Sequence, residues 1–132
     1  MNRPLTLLIV DDDEDDRKLF IESVREVDEN IRCIPTSGGQ EALDYLYDIS
    51  NSLPDYIFLD LRMPKISGQK CMEEIKKEQR LSDIPIFIYS TSTDKNDIAQ
   101  LGEAGAVMFI SKPTDPLEIY YLISTIIGEK WG

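Results

Sequence analysis

The sequence predicts a parallel α/β sheet covered by helices on both faces, and three observations carry that prediction. Five apolar runs of strand length alternate with five amphipathic stretches of helix length. The first run, Leu5-Thr6-Leu7-Leu8-Ile9-Val10, is nearly continuous rather than alternating, which is how a parallel strand buried on both faces reads. Four of the runs end abruptly on polar or ionisable residues: Asp11-Asp12-Asp13, Asp60, Ser90-Thr91 and Ser111-Lys112. In open parallel sheets ligands sit at the carboxyl ends of the strands, so these four endings fall on one edge.

Taken in chain order, the first strand covers residues 5–11 and is followed by a helix over 14–27. That helix places Phe20, Val24 and Val27 at i, i+4 and i+7 with charges between them. A second strand over 31–36 leads to a helix over 39–49, with Gly38-Gly39 marking its start. The third strand, 56–60, is Tyr56-Ile57-Phe58-Leu59-Asp60, and Gly68 sits at the start of a helix over 67–78. The fourth strand, 85–89, precedes a helix over 94–103, after which Gly105 marks a turn. The fifth strand, 107–110, runs into Ser111-Lys112-Pro113 and then a last helix over 115–128. Pro116 suits the first turn of that helix, with Asp115 as its cap. With 132 residues and no linker or low-complexity tract, the chain reads as a single domain over 1–132 without an output domain.

Composition narrows the chemistry. The chain has no His, which removes imidazole general-base catalysis and the commonest metal ligand. A metal site must therefore be built from oxygens, which selects Mg²⁺, Mn²⁺ or Ca²⁺ over zinc. Cys33 and Cys71 sit in no metal-ligand spacing and read as reduced, mostly buried thiols. The net charge of -11 disfavours direct nucleic-acid binding through a basic surface. No apolar run is long enough to span a bilayer, and Met1-Asn2-Arg3-Pro4 lacks signal-peptide anatomy, so a cytoplasmic location is expected.

Asp60 is the centre of the expected site, because an ionisable carboxylate there ends a strand that otherwise wants burial. Asp11 and Asp12 terminate the neighbouring buried strand. Like charges brought together in this way are costly without a cation, and a hard divalent ion offsets the repulsion. Asp13, Glu14, Asp15 and Asp16 have a plainer explanation, since acids at a helix N-terminus cap free N–H groups and favour the macrodipole. Lys112 would pair with Asp60 or with a phosphoryl group on it. Ser90 and Thr91 either end a strand or donate to a phosphoryl oxygen. A carboxylate, a divalent ion and an ammonium around one oxygen suffice for phosphoryl transfer, in which the protein mainly positions groups and neutralises charge. A carboxylate nucleophile needs no general base at neutral pH.

With these motifs in place, the sequence resembles the receiver domain of two-component response regulators along essentially its whole length. The resemblance rests on Ile9-Val10-Asp11-Asp12, on Leu59-Asp60-Leu61-Arg62-Met63-Pro64 with Gly68, on Ser90-Thr91 and on Ser111-Lys112-Pro113, in family order and spacing. It implies a flavodoxin-like sheet of order 2-1-3-4-5. It implies that Asp60 is phosphorylated by a histidine kinase or phosphotransfer protein in a Mg²⁺-dependent reaction, with Mn²⁺ a possible substitute. Asp11, Asp12, Asp60 and the backbone carbonyl of Arg62 match the metal ligands, with Asp12 the direct carboxylate of the acidic pair. Ser90 and Lys112 match the switch hydroxyl and the phosphate-pairing lysine, and Phe109 matches the aromatic switch position. Arg62 and Ser92, two residues after Asp60 and Ser90, match positions that tune phosphoryl lifetime. The implied output is a changed set of contacts with an unidentified downstream protein, without separate substrate turnover.

Two other readings compete. A Mg²⁺-dependent phosphohydrolase with Asp60 as nucleophile is one, although haloacid-dehalogenase-type enzymes carry a second Asp where this chain has Arg62. A flavodoxin-like cofactor protein is the other. It would want a hydroxyl- and Gly-rich loop after the first strand, where this chain has six acids that would repel a phosphate. The last helix carries more apolar residues than one buried stripe needs. A homodimer or partner surface and a broadly buried helix both remain open there.

Overall fold

A computed structural model describes residues 4–91 and 94–128. Five strands and five helices alternate: β1 (Thr6–Val10), α1 (Glu14–Val27), β2 (Arg32–Thr36), α2 (Gly39–Tyr47), β3 (Tyr56–Leu59), α3 (Gly68–Lys77), β4 (Ile86–Ser90), α4 (Lys95–Glu103), β5 (Met108–Ser111) and α5 (Pro116–Gly128). All strand pairs are parallel and the sheet order is β2-β1-β3-β4-β5. Fold class, element order and strand order agree with expectation, and boundaries move by at most two residues.

The sheet divides the core in two because successive strand residues point to opposite faces. Leu7 and Ile9 of β1 join Phe58, Phe87, Tyr89 and the inner sides of α1 and α5. Leu8 and Val10 join Ile57, Leu59, Ile86 and Ile88 against α2, α3 and α4. Every residue of β1 is buried, which is why its sequence does not alternate. On the α1–α5 side Phe58 stacks on Phe87 at 5.2 Å between ring centroids and meets Phe20 at 4.8 Å. These rings fix the sheet end from which Asp60 emerges.

Local signals act where the sequence placed them. Asp13 caps α1 by accepting from the Asp16 N–H, and Ser67 and Asp94 cap α3 and α4 in the same way. Asp115 accepts from the Leu117 N–H ahead of α5. Gly105, at φ +113°, takes the left-handed conformation that ends α4 cheaply. The edge strand β5 is less covered than its apolar sequence implies, with Met108, and Val107 just before the strand, more than a third exposed. In α5, Ile119, Ile123 and Ile126 are buried while Leu117 and Tyr121 face outward. Leu122 and Ile127 are half-buried against the same core, so only part of the apolar excess of the last helix is surface.

Candidate functional site

The strand order makes the site. The chain leaves β1 for one edge through β2 and returns on the other side as β3. The carboxyl ends of β1 and β3 are thus neighbours at the point of reversal, where a crevice forms. A backbone bond locks the two endings together, the Asp60 N–H donating to the Val10 carbonyl at 2.9 Å, and on the other side the Asp11 N–H donates to the carbonyl of Thr36 at the end of β2 at 3.1 Å. The β4 and β5 endings follow, with the Lys112 N–H donating to the Ser90 carbonyl at 2.9 Å.

Asp11 and Asp60 are buried, at 3% and 7% exposure, and Asp12 beside them is exposed. One carboxylate oxygen from each of the three lies within 4.8 Å of the others. Three convergent carboxylates open to solvent on one side fit a hard divalent cation that keeps several waters, and not a thiol- or imidazole-seeking metal. Burial, and the nearby charge of Asp60, push the Asp11 carboxyl up from 3.8 to about 6, against the opposing pull of Lys112 and of the Asp13 N–H. Burial is the larger of the two causes, so the shift chiefly marks a carboxylate held away from water.

Lys112 answers part of that charge. Its ammonium donates to Asp11 Oδ2 at 2.7 Å, to Asp16 Oδ2 at 2.9 Å and to Asp60 Oδ2 at 3.1 Å. Burial alone would lower its pKa, but the bonds to Asp11 and Asp16 and the charges of Asp11 and Asp60 more than reverse that and raise it. The side chain is only 8% exposed and lies 5.9 Å from the Tyr89 ring centroid. Sequence reasoning anticipated the contact with Asp60. It missed Asp16, for which capping and the macrodipole offer a plainer explanation. The Asp16 backbone does serve the cap, while its side chain turns back to Lys112. Nothing local marks that contact, because it joins residues 96 apart in the chain.

The loop after β3 is held close to the site. The Gly68 N–H donates to the Leu61 carbonyl at 2.9 Å. A Cβ at Gly68 would sit 2.2 Å from the Asp60 carbonyl oxygen and 2.8 Å from Leu61 Cα, so only glycine lets α3 start this near Asp60. The Arg62 N–H reaches Asp60 Oδ1 at 3.4 Å, while the Arg62 side chain points away to Asp97 of α4, also at 3.4 Å. Ser90 is buried at 1% exposure at the end of β4, Thr91 is exposed, and Phe109 is half-buried against the α2–α4 side of the core. Ser92 lies outside the described residues. The site thus gathers Asp11, Asp12, Asp60, Asp16 and Lys112, with Ser90 buried on the neighbouring strand, where its carbonyl accepts from the Lys112 N–H, and the side chain of Arg62 turned outward.

The response regulator receiver domain matches residues 7–124. The polar-differentiation response regulator DivK of Brucella anthropi is 28% identical over 126 residues, 96% of this chain and 98% of DivK. The probable methanogenesis regulatory protein FilR2 of Methanothrix harundinacea is 30% identical over 83% of this chain and 73% of FilR2. Among solved structures, the phosphorylated cyanobacterial phytochrome response regulator RcpA superposes with a TM-score of 0.84. It is 28% identical, with 93% of this chain and 91% of RcpA covered. The manganese-bound form of response regulator Rcp1 shares the fold at a TM-score of 0.83 and 24% identity, over 93% of this chain and 91% of Rcp1. The matched segment begins in β1 and ends in α5, so it includes all the strand endings that build the site, and the chain belongs to the response regulator receiver domain family.

Proposed function

We propose that this protein is a phosphoacceptor that takes a phosphoryl group onto Asp60 and signals through changed protein contacts of the receiver domain itself. The observation that carries the reading is the position of Lys112, whose ammonium lies 3.1 Å from Asp60 Oδ2 beside the carboxylates of Asp11 and Asp12. In the transfer, a carboxylate oxygen of Asp60 attacks phosphorus and the O–P bond forms as the donor's bond to phosphorus breaks. With a phosphohistidine donor the leaving imidazole nitrogen takes up a proton from water. No residue of this chain has to act as a base, which suits a chain without His. Lys112 neutralises the oxygen that faces it, and the Ser90 hydroxyl is the donor for another. Asp11, Asp12, Asp60 and the Arg62 carbonyl would hold Mg²⁺, or Mn²⁺ in its place, which when bound neutralises phosphoryl charge.

The partners of this reading are a histidine kinase or phosphotransfer protein upstream and an unidentified protein downstream. Phe109, half-buried beside β4, is the side chain whose burial would report the phosphoryl state to β5 and its neighbouring helices. Ser92 and Arg62 are the candidates for setting phosphoryl lifetime.

Incubation with acetyl phosphate and MgCl₂, followed by intact-mass measurement, tests the proposal. The expected result is one added phosphoryl group, absent with excess chelator and absent from Asp60→Asn. An unmodified wild type would overturn it. Rapid multiple turnover of unrelated phosphate esters would favour the phosphohydrolase instead.

A further inference from the structure

We infer that Asp16 is a positioning residue for phosphoryl transfer, holding the Lys112 ammonium over Asp60 from the first turn of α1. The inference rests on the function proposed above. An ammonium has three N–H donors, and Lys112 has three carboxylate partners, each within 3.1 Å: Asp11, Asp16 and Asp60. These partners are not equivalent. Asp11 and Asp60 belong to the carboxylate cluster suited to a divalent cation, and Asp16 does not. A cation on that cluster competes with Lys112 for the oxygens of Asp11 and Asp60, and a phosphoryl group on Asp60 claims a donor as well. Asp16 is the one partner of the three with no second claim on it. It is anchored by the Asp13–Asp16 cap of α1, while its carboxylate remains 39% exposed and able to follow the lysine.

Without Asp16 the ammonium retains only partners that the reaction itself takes away. Its four-carbon stem then gains freedom at the moment when it must face the phosphoryl oxygen. The role needs an acceptor oxygen at residue 16 more than a charge. A further negative charge beside Asp11, Asp12 and Asp60 opposes an incoming phosphodonor, so an amide that keeps the oxygen should serve as well.

The test compares Asp16→Ala, Asp16→Asn and, as a control, Asp15→Ala. Asp15 shares the first turn of α1 and its macrodipole but is exposed. The rate of phosphoryl uptake from acetyl phosphate at saturating MgCl₂ is followed by intact mass. Selective amine acetylation, read by peptide mass, reports how freely Lys112 moves into solvent without any need for phosphorylation. Asp16→Ala is expected to slow uptake about 3- to 10-fold, a part of the ~100-fold that a misplaced group can cost, and to speed labelling of Lys112. Asp16→Asn and Asp15→Ala are expected to stay within about twofold of wild type in both readouts. Uptake by Asp16→Ala at the wild-type rate would overturn the role of Asp16 alone. So would a loss matched by Asp15→Ala, or unchanged labelling of Lys112. No uptake by the wild type would overturn the phosphoacceptor reading, and the role of Asp16 in transfer with it.

Discussion

Asp11→Asn should make the metal-free protein more stable at neutral pH. Asp11 is 3% exposed and its carboxyl is raised from 3.8 to about 6, chiefly by burial. The folded state therefore holds this proton more tightly than the unfolded chain does, and stability rises as pH falls from 6 toward 3.8. Above pH 6 the ionised carboxylate is fully destabilising, by about 3 kcal/mol for this rise at about 1.4 kcal/mol per pH unit. An asparagine resembles the protonated acid: its Oδ1 still accepts from the Asp13 N–H, and the charge is gone. Lys112 keeps Asp16 and Asp60. The amide Nδ2 is a poorer neighbour for an ammonium than a carboxyl oxygen, so the expected gain at pH 7.5 is about 1–3 kcal/mol. About two thirds of it should vanish by pH 4.5, where most of the wild-type carboxyl is already protonated in the folded state. Urea unfolding with chelator present, followed by far-ultraviolet circular dichroism at both pH values, measures this directly. A variant less stable than wild type at pH 7.5, or a gain equal at the two pH values, would show that ionised Asp11 does not destabilise the fold.

Three further outcomes follow from the same geometry. Mg²⁺ should stabilise the wild type, by about 2.7 kcal/mol at a hundred times its dissociation constant, and Asp12→Ala should remove most of that gain, as read by Tm with and without chelator. Gly68→Ala should lower stability by about 1–3 kcal/mol, because its Cβ would overlap the Asp60 carbonyl and push α3 off the loop; an unchanged urea midpoint would contradict the close approach. Cys33 and Cys71, whose thiols burial pushes up to about 11 and about 12, should react slowly with a disulfide reagent at pH 8 and rapidly only after unfolding.

The sheet was legible because short, continuous apolar runs bounded by polar endings and turn residues alternate with longer amphipathic stretches. Leu5 to Val10 reads as continuous because Leu7 and Ile9 serve one core and Leu8 and Val10 the other. The site was legible for a related reason: Asp60 and Asp11 interrupt apolar strands, and the reversal of strand order between β1 and β3 brings the interruptions together. Asp16 was not legible. Its contact with Lys112 spans 96 residues, and its position in an acidic first turn already had a sufficient local cause. The side chain of Arg62 shows the same limit, since only the packing of α4 reveals that Asp97 draws it away from Asp60. The exposure of Met108 and Tyr121 was hidden too, because an apolar residue on an edge strand or outer helix face reads like one in the core.

The central claim is that one carboxylate of the cluster, Asp60, is the atom group that receives phosphate. Borohydride reduction of the phosphorylated protein converts an aspartyl phosphate to homoserine, and peptide mass spectrometry then locates it. Homoserine is expected at residue 60 and at no other acidic position. Homoserine at residue 11 or 12 with residue 60 unchanged would contradict it.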